Sequence, residues 1–290
     1  MSNKKKCIIY ANCQGNAVGH FLRKSTEFND CYSVHFVSNY SLINSSEQIP
    51  IDLLKEADLF IYQPLNEKHG QYEPENLKRY TPSRCKSFSF PYIFNDALWP
   101  LVRGNGKVVG REAIDDLIEK GYSTREIVQQ FLSLSIDFRF GERFEKSFSI
   151  LKEKEAVADV KVTEYILANI SKEKLFLTQN HPSSNLLLHC VNQLLSFLDF
   201  SPLSKGAITH LNEAGLPNCW PTSPYDKEYY NFQYSYGWAV FHEIKKDDNW
   251  KNYYLKLIGE ILFEYSHDTK FRYLLDKLYI RYRRELAKLT

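Results

Sequence analysis

The chain has 290 residues, of which 43% are hydrophobic and 25% charged, and its formal net charge is +2. This composition is ordinary for a globular protein with a large core, built as one domain or two. The near-neutral balance gives no global bias toward nucleic acid, so no nucleic-acid partner is expected.

The cysteines and the apolar runs also exclude several classes of protein. The six cysteines lie far apart, at Cys7, Cys13, Cys31, Cys85, Cys190 and Cys219. They form no CxxC pair and no His/Cys cluster at zinc spacing, so no metal site is expected. The apolar run near the N-terminus is too short for a signal peptide, and no stretch reaches the roughly 20 apolar residues of a membrane span. We therefore expect a cytoplasmic protein with reduced thiols.

The first hundred residues alternate between short apolar runs and segments with helical spacing. Strands are predicted in KKCIIYANC, CYSVHFVSN, DLFIYQPL and CKSFSFPYIF, with helices in GNAVGHFLRKST and SSEQIPIDLLKEA. Strands separated by helices predict a parallel sheet with right-handed crossovers, as in Rossmann-like α/β folds. Ligands bind such sheets at the carboxyl ends of the strands.

The second half of the chain has mainly helical patterns. Helices are predicted in REAIDDLIEKG, STREIVQQFLSLS, RFEKSFSILKEKEAVA and KVTEYILANIS. KLFLTQNHPSS is predicted as a fifth strand ending in a loop, and NLLLHCVNQLLSFLDF as a helix with Ser184 or Asn185 as N-cap. A Pro-rich loop precedes C-terminal helices at about 226–290. Because no boundary signal divides the chain, we expect one helix-rich α/β domain over residues 1–290, with its catalytic core at about 5–225.

The turn from the first strand to the first helix carries the sequence Asn12-Cys13-Gln14-Gly15-Asn16. The N–H groups and the dipole of a helix N-terminus favour an anion, which predicts a depressed thiol pKa for Cys13. The same N–H groups, from Gln14, Gly15 or nearby, are candidates for holding a developing oxyanion. The structural alternative is a small buried cysteine that ends a strand.

A nucleophilic cysteine needs a base, and His181 in LFLTQNHPSSN is the best-placed histidine. It precedes Pro182, which favours an extended backbone, and it follows Asn180, a further polar candidate. Cys13 and His181 in adjacent loops form the kind of pair that acyl transfer requires. Alternatively, His181 forms hydrogen bonds only within its loop. His20 either lines the cleft or faces solvent.

Polar and aromatic residues elsewhere complete the candidate site. Gln63 ends the third strand and either donates a hydrogen bond into the cleft or belongs to an ordinary loop. Tyr92, in the aromatic segment FPYIFNDALWP, belongs to a wall for a sugar or a pantetheine chain, or to the core. Arg103, Lys107 and Arg111 in RGNGKVVGRE are candidates for a phosphate patch, although this turn is neither GxGxxG nor a Walker sequence.

The segments IYANCQGN, ADLFIYQPL, FPYIFNDALWP and LFLTQNHPSS, in that order, resemble the WcbI-type polysaccharide biosynthesis proteins. The resemblance covers about residues 5–225. It implies an acetyl-CoA-dependent O-acetyltransferase acting on a capsular or other surface polysaccharide or its precursor. Cys13 and His181 would lie at the reaction centre, with CoA in the cleft. The resemblance also implies peripheral association with a polysaccharide assembly complex.

The layout is also similar to that of the GDSL/SGNH esterases, whose nucleophile follows the first strand and whose histidine lies in a late loop. This chain departs from that pattern because the nucleophile is Cys13 rather than a serine, and Thr178 stands where an aspartate precedes the histidine by three positions. A Cys–His hydrolase is therefore the alternative enzyme. A carbohydrate-binding protein built on the aromatic residues is the alternative without catalysis.

Overall fold

The computed structural model of the chain describes residues 4–104, 107–208, 223–234, 254 and 256–262. In chain order its helices and strands are β1 (Lys5–Ala11), α1 (Cys13–Leu22), α2 (Thr26–Cys31), β2 (Tyr32–Ser38), α3 (Asn39–Ser45), α4 (Ile51–Lys55), β3 (Leu59–Tyr62), α5 (Pro74–Lys78), β4 (Lys86–Ser89), β5 (Arg103–Gly104), β6 (Lys107–Val108), α6 (Glu112–Glu119), α7 (Thr124–Leu132), α8 (Phe140–Ala156), α9 (Thr163–Asn169), β7 (Phe176–Thr178), β8 (His181–Pro182), α10 (Ser184–Phe197) and α11 (Pro224–Tyr230). Short 3₁₀ helices lie at Glu67–Tyr72 and Lys205–Ile208.

The chain folds into two compact units, each assembled from separate stretches of sequence. The first unit contains the described residues within Met1–Phe94, Phe148–Asn169 and Asn180–Pro217. The second contains those within Asn95–Ser147, Ile170–Gln179 and Asn218–Thr290. None of the helices in the described residues is long and apolar enough to cross a membrane.

The first unit is built on a four-stranded sheet with the order β2-β1-β3-β4. All three pairings are parallel, with Cys7 of β1 opposite Val34 of β2 and Leu59 of β3. β1 is a central strand, and its residues from Cys7 to Ala11 are buried. A central strand of a parallel sheet is covered on both faces, which explains its continuous apolar run. The predicted parallel sheet is confirmed.

Alternate residues of β1 pack on opposite faces of the sheet. Ile8 and Tyr10 join a core cluster with Phe60 of β3 and side chains of the flanking helices. On the other face α1 packs against β1 and against α10. A Cβ added at Gly15 would lie 2.5 Å from the Cβ of Ala11, so only glycine permits this approach of helix and sheet.

Several predicted elements differ from the observed ones. The predicted fifth strand is the three-residue β7, and the parallel sheet of the described residues contains β1–β4 alone. The N-cap of α10 is Ser183, rather than Ser184 or Asn185. Prediction missed α2 and α3 because six- and seven-residue helices are too short to show a periodic pattern. Most of the Pro-rich loop and of the C-terminal segment at 226–290 lies outside the described residues.

The second unit holds an irregular loop in a strained conformation. Trp99 and Leu101 have positive φ angles of 54° and 68°, which bulky side chains rarely adopt. The buried carboxylate of Asp226 accepts the N–H of Trp99 at 3.0 Å. Arg143 donates to the carbonyl of Leu98 at 3.0 Å. These hydrogen bonds hold a backbone that would otherwise relax.

Candidate active site

Cys13 lies at the carboxyl end of the central strand. β1 ends at Ala11, and Asn12 is the N-cap of α1, with its side-chain Oδ1 accepting the N–H of Gln14 at 2.9 Å. Cys13 is the first residue of the helix, two positions before the predicted start at Gly15. The ends of parallel strands are where α/β folds bind ligands, so the fold places this thiol in a functional position.

His181 lies directly beside this thiol. The Sγ atom of Cys13 and the Nε2 atom of His181 are 3.8 Å apart, although 168 positions separate the two residues in sequence. Cys13 is exposed and His181 is half-buried, so a substrate can reach the sulphur while the ring is held. The sequence-predicted pair is thus brought together within hydrogen-bond reach.

Burial shifts the pKa of both members of the pair in opposite directions. Partial burial raises the pKa of the Cys13 thiol, although N–H groups of Gln14 and Cys13 itself act to lower it. Burial lowers the pKa of His181. Both shifts favour a neutral thiol beside a neutral imidazole, because each disfavours the charged form. The expected depressed pKa of Cys13 is therefore wrong: loss of water outweighs the helix N-terminus.

Gln14 connects this turn to the segment that carries the histidine. Its side chain is 3% exposed, and its Nε2 donates to the carbonyls of Ile93 and Asn180, each at 2.7 Å. Its Oε1 accepts from the N–H of Ile93 at 3.1 Å and from Nε2 of Gln63 at 3.0 Å. Both hydrogens and both lone pairs of the amide are therefore used within the protein. The side chain orients the residue before His181.

The remaining residues of the turn have distinct positions. Gln63 follows β3, is buried, and accepts the N–H of Asn12 with its Oε1 at 3.0 Å. The N–H of Gly15 donates to the carbonyl of Asn12 at 2.9 Å, and that of Gln14 donates to the Asn12 side chain. These two N–H groups, which the sequence suggested for an oxyanion, thus have partners in the free protein. The Asn12 Nδ2 makes no hydrogen bond with the described residues.

A cavity of about 1170 Å³ opens beside this turn in the first unit. Asn12, Gln63 and Tyr92 line it, together with residues of α3 and of the segment after β3. The ammonium group of Lys154 lies 4.6 Å from the centre of the Tyr92 ring. Tyr92 therefore belongs to the wall of an open cavity, which is one of the two positions that the sequence allowed.

The other candidate cofactor-binding residues lie elsewhere. His20 is on α1 and is partly buried; its Nε2 atom has no hydrogen-bond partner within the described residues. Arg103 and Lys107 belong to the antiparallel β5–β6 pair of the second unit, and their side chains are outside the described part of the structure. Arg111, also in the second unit, forms an ion pair with Asp115 at 3.4 Å.

Most residues that line the cavity were not predicted from the sequence, and Asn39 and Lys154 are two of them. Asn39 opens α3 and lines the cavity with a buried side chain, and Lys154 near the end of α8 stacks on Tyr92. Lys154 stands in no recognisable motif, whereas Asn39 directly follows β2 at the carboxyl end of that strand. The only signal was the NY pair after the second strand, at the sheet edge where ligands bind.

Comparison with known proteins identifies the family of this chain. A family model described as "Polysaccharide biosynthesis enzyme WcbI" matches residues 6–203. The chain belongs to the WcbI family. The matched range includes Cys13 and His181. No curated protein sequence matches the chain significantly.

A solved structure of WcbI itself has the same fold. It is 18% identical to this chain, with a TM-score of 0.66, and the match covers 99% of this chain and 98% of that one. That protein is described as a novel polysaccharide biosynthesis enzyme, in its native form without a disulfide bond between CoA and one of its cysteines. At this identity the likeness establishes the fold alone.

Proposed function

We propose that this protein is an acetyl-CoA-dependent O-acetyltransferase that modifies a capsular or other surface polysaccharide, or its precursor. The observation that carries the proposal is the 3.8 Å approach of Cys13 Sγ and His181 Nε2 at the carboxyl end of the parallel sheet. A thiol beside an imidazole is the arrangement that nucleophilic acyl transfer uses. Membership of the WcbI family supplies the polysaccharide context.

The description of the related WcbI structure supports CoA as the acyl carrier. It refers to a disulfide bond between CoA and a cysteine, which requires the CoA thiol to reach a protein sulphur atom. In this chain the exposed cysteine beside a histidine is Cys13. We propose that the acetyl thioester binds with its carbonyl carbon next to this thiol, and that CoA is a co-substrate with no metal required.

The two-step route conserves protons and acyl groups at every stage. His181 Nε2 takes the proton of Cys13, and the thiolate attacks the thioester carbonyl of acetyl-CoA. The C–S bond to CoA breaks, and His181 returns the proton to the CoA thiolate. A sugar hydroxyl then gives its proton to His181 and attacks the acetyl-cysteine; the C–S bond to Cys13 breaks, and His181 returns the proton to the Cys13 thiolate. Asn12 Nδ2 is the proposed donor to the oxyanion, in a site prepared before the reaction.

Direct transfer is the other route to the same product. The sugar hydroxyl gives its proton to His181 and attacks the thioester carbonyl of acetyl-CoA; the C–S bond breaks, and His181 passes the proton to the CoA thiolate, while Cys13 only shapes the site. The neutral state of the resting pair fits both routes, because a base must be unprotonated to accept the hydroxyl or thiol proton. The two routes differ in whether an acetyl-cysteine accumulates without acceptor.

The residues that contact the CoA phosphates and the location of the enzyme in the cell are further parts of this proposal. CoA carries a diphosphate and a 3′-phosphate, which need cations or helix N-termini. Arg103, Lys107 and Arg111 are the proposed cations, and His20 is a further candidate contact. We also propose a cytoplasmic enzyme that associates peripherally with a polysaccharide assembly complex.

Intact-protein mass spectrometry after mixing with acetyl-CoA tests the proposal. The two-step route predicts one added acetyl group on the wild-type protein and on a Cys31→Ser control, and none on Cys13→Ser. Calorimetry should show CoA binding that weakens with added salt, because the phosphates are charged. Absence of both CoA binding and stabilisation by CoA would remove the transferase. Release of acetate without acceptor, at the rate of transfer, would instead identify the hydrolase.

A further inference from the structure

The cavity beside Asn12 has an unusual set of charges for a nucleotide site. The charged side chains that line it are those of Glu67, Glu73, Glu75, Glu153, Lys68 and Lys154. Lys78 offsets one carboxylate, since its ammonium group contacts Glu75 at 2.7 Å. Apart from Glu75, the cavity wall carries the three negative charges of Glu67, Glu73 and Glu153 and the two positive charges of Lys68 and Lys154. CoA carries several phosphate charges, and a cavity with this balance repels them.

The cavity also contains a side-chain amide, that of Asn39, with no hydrogen-bond partner among the described residues. Asn39 is 4% exposed and lines the cavity, and its side chain makes no hydrogen bond with any other described residue. The polar atoms of this amide are not sealed off from the cavity, so water or a ligand bound there can satisfy them. The Asn39 amide can both donate and accept, which matches a sugar hydroxyl.

Aromatic and amide groups provide the rest of a carbohydrate-binding surface. Tyr40 is exposed at the cavity wall, and Tyr92 lines the same space. Aromatic faces pack against the apolar faces of sugar rings, while carboxylates and amides bind their hydroxyl groups. The volume of about 1170 Å³ exceeds the roughly 300–1,000 Å³ typical of sites for drug-sized ligands, so more than one ring fits.

We propose that this cavity is the acceptor site, and that it takes hydroxyl-rich sugar units carrying no phosphate or carboxylate. The inference rests on the proposed function, because only a transferase needs a second substrate beside the thiol. Asn12 connects the cavity with the thiol, because it lines the cavity and immediately precedes Cys13. CoA then reaches Cys13 from outside this cavity.

A variant that fills the cavity tests this assignment. Val157 lines the cavity and is 69% exposed, so Val157→Trp occupies the space without disturbing the core. Ile150 on α8 is 40% exposed and does not line the cavity, which makes Ile150→Trp the matched control. The probes are methyl glycosides of neutral hexoses, with methyl glucuronide and uridine diphosphate as anionic comparisons. Saturation-transfer NMR measures their binding, and calorimetry measures acetyl-CoA.

We expect neutral glycosides to bind the wild-type protein and Ile150→Trp, and the anionic probes to stay unbound. Val157→Trp should weaken glycoside binding by at least about tenfold, or about 1.4 kcal/mol, and change the acetyl-CoA Kd by less than about twofold. Loss of acetyl-CoA binding in Val157→Trp would place CoA in the cavity and overturn the proposal. Failure of every neutral glycoside to bind the wild-type protein would overturn it too.

A second variant separates binding from stability. Asn39→Leu replaces the unpartnered amide with an apolar group of similar shape, so its Tm should not fall while its glycoside affinity does. A lowered Tm with unchanged affinity would make Asn39 structural and contradict the assignment. Glycosides that bind in the cavity but receive no acetyl group would remove the transferase and leave the sugar site standing.

Discussion

The thiol of Cys13 is held neutral by its surroundings, and this sets how its reactivity varies with pH. Partial burial raises its pKa and the same effect lowers that of His181, and both shifts favour the neutral thiol and imidazole over the thiolate–imidazolium pair. Iodoacetamide should alkylate Cys13 along a profile centred above the pKa of about 8.5 of a free thiol. A synthetic peptide of residues 8–18 gives the reference curve. A midpoint below that of the peptide would contradict the neutral pair.

His181 is the proposed general base, and its removal should affect chemistry more than binding. His181→Ala should lower kcat by about two to four orders of magnitude, and His181→Gln nearly as much, with acetyl-CoA binding little changed. Because burial lowers its pKa below 6.5, and a base works unprotonated, the acid limb of the kcat/KM profile should lie below pH 6.5. Thermal unfolding of the same variants provides the control: a folded His181→Ala protein with a near-normal rate would exclude the pairing.

Gln14 connects two elements, the β1–α1 turn and the segment before His181. Gln14→Leu removes four hydrogen bonds, which takes a partner from buried groups of Gln63 and Ile93 and from the carbonyl of Asn180. Each such group costs about 1–3 kcal/mol, so we expect the free energy of unfolding to fall by at least about 2 kcal/mol. Urea denaturation measures the loss. Gln129→Leu, at an exposed position, should stay within about 0.5 kcal/mol of the wild type.

The same variant also tests positioning at the active site. Since Gln14 holds the carbonyl of Asn180, its loss should lower kcat while the KM for acetyl-CoA changes little. A rise in that KM with unchanged kcat would show instead that Gln14 contributes to cofactor binding.

The packing of α1 against the sheet depends on a single glycine. In Gly15→Ala the new Cβ meets the Ala11 Cβ at 2.5 Å, an atom that moves only with its backbone. Overpacking costs about 1–3 kcal/mol, which outweighs the gain of about 1 kcal/mol in helix propensity. We expect net destabilisation in urea denaturation. Asn16→Ala, on the exposed side of the same helix, is the control and should be neutral or slightly stabilising; equal stability of both variants would refute the packing argument.

Sequence patterns predicted the elements that bury a periodic apolar face. The strands β1–β4 and the helices α6–α10 show such patterns, and the motif at Cys13 identified the turn correctly. Local sequence patterns do not reveal features that depend on contacts between residues far apart in the chain. The segment that contains β7 was predicted as a longer strand, but β7 has three residues. Asn39 becomes a candidate binding residue only because it lines a cavity together with residues that are distant in sequence. The pKa of Cys13 likewise depends on burial, which helix position alone does not specify.

At the scale of the whole molecule, one buried carboxyl group makes stability depend on pH. Burial raises the pKa of Asp226 from 3.8 to about 6, although Arg143 acts to lower it. A group with a raised pKa in the folded state contributes stability below its unfolded pKa and loses it as pH rises through the folded value. The stability of the wild type relative to Asp226→Asn should therefore decline between about pH 4 and pH 6.

Chemical denaturation at several pH values checks this slope, which is more informative than the absolute stability. Asn at this position loses the hydrogen bond from the N–H of Ser223, so Asp226→Asn starts from a lower value. Asp52→Asn, at an exposed position, provides the comparison variant. A wild-type curve parallel to that of Asp226→Asn would show that Asp226 titrates normally.

The prediction of one domain over residues 1–290 stays a prediction.

The separation of 168 positions between Cys13 and His181 has a consequence during synthesis. At about 5–20 residues per second, a ribosome takes on the order of 10 to 30 s to add the histidine after the cysteine. Throughout that interval the nascent chain carries a thiol with no base beside it. An abandoned translation product that stops before His181 lacks the proposed base, so we expect unfinished chains not to catalyse acetyl transfer.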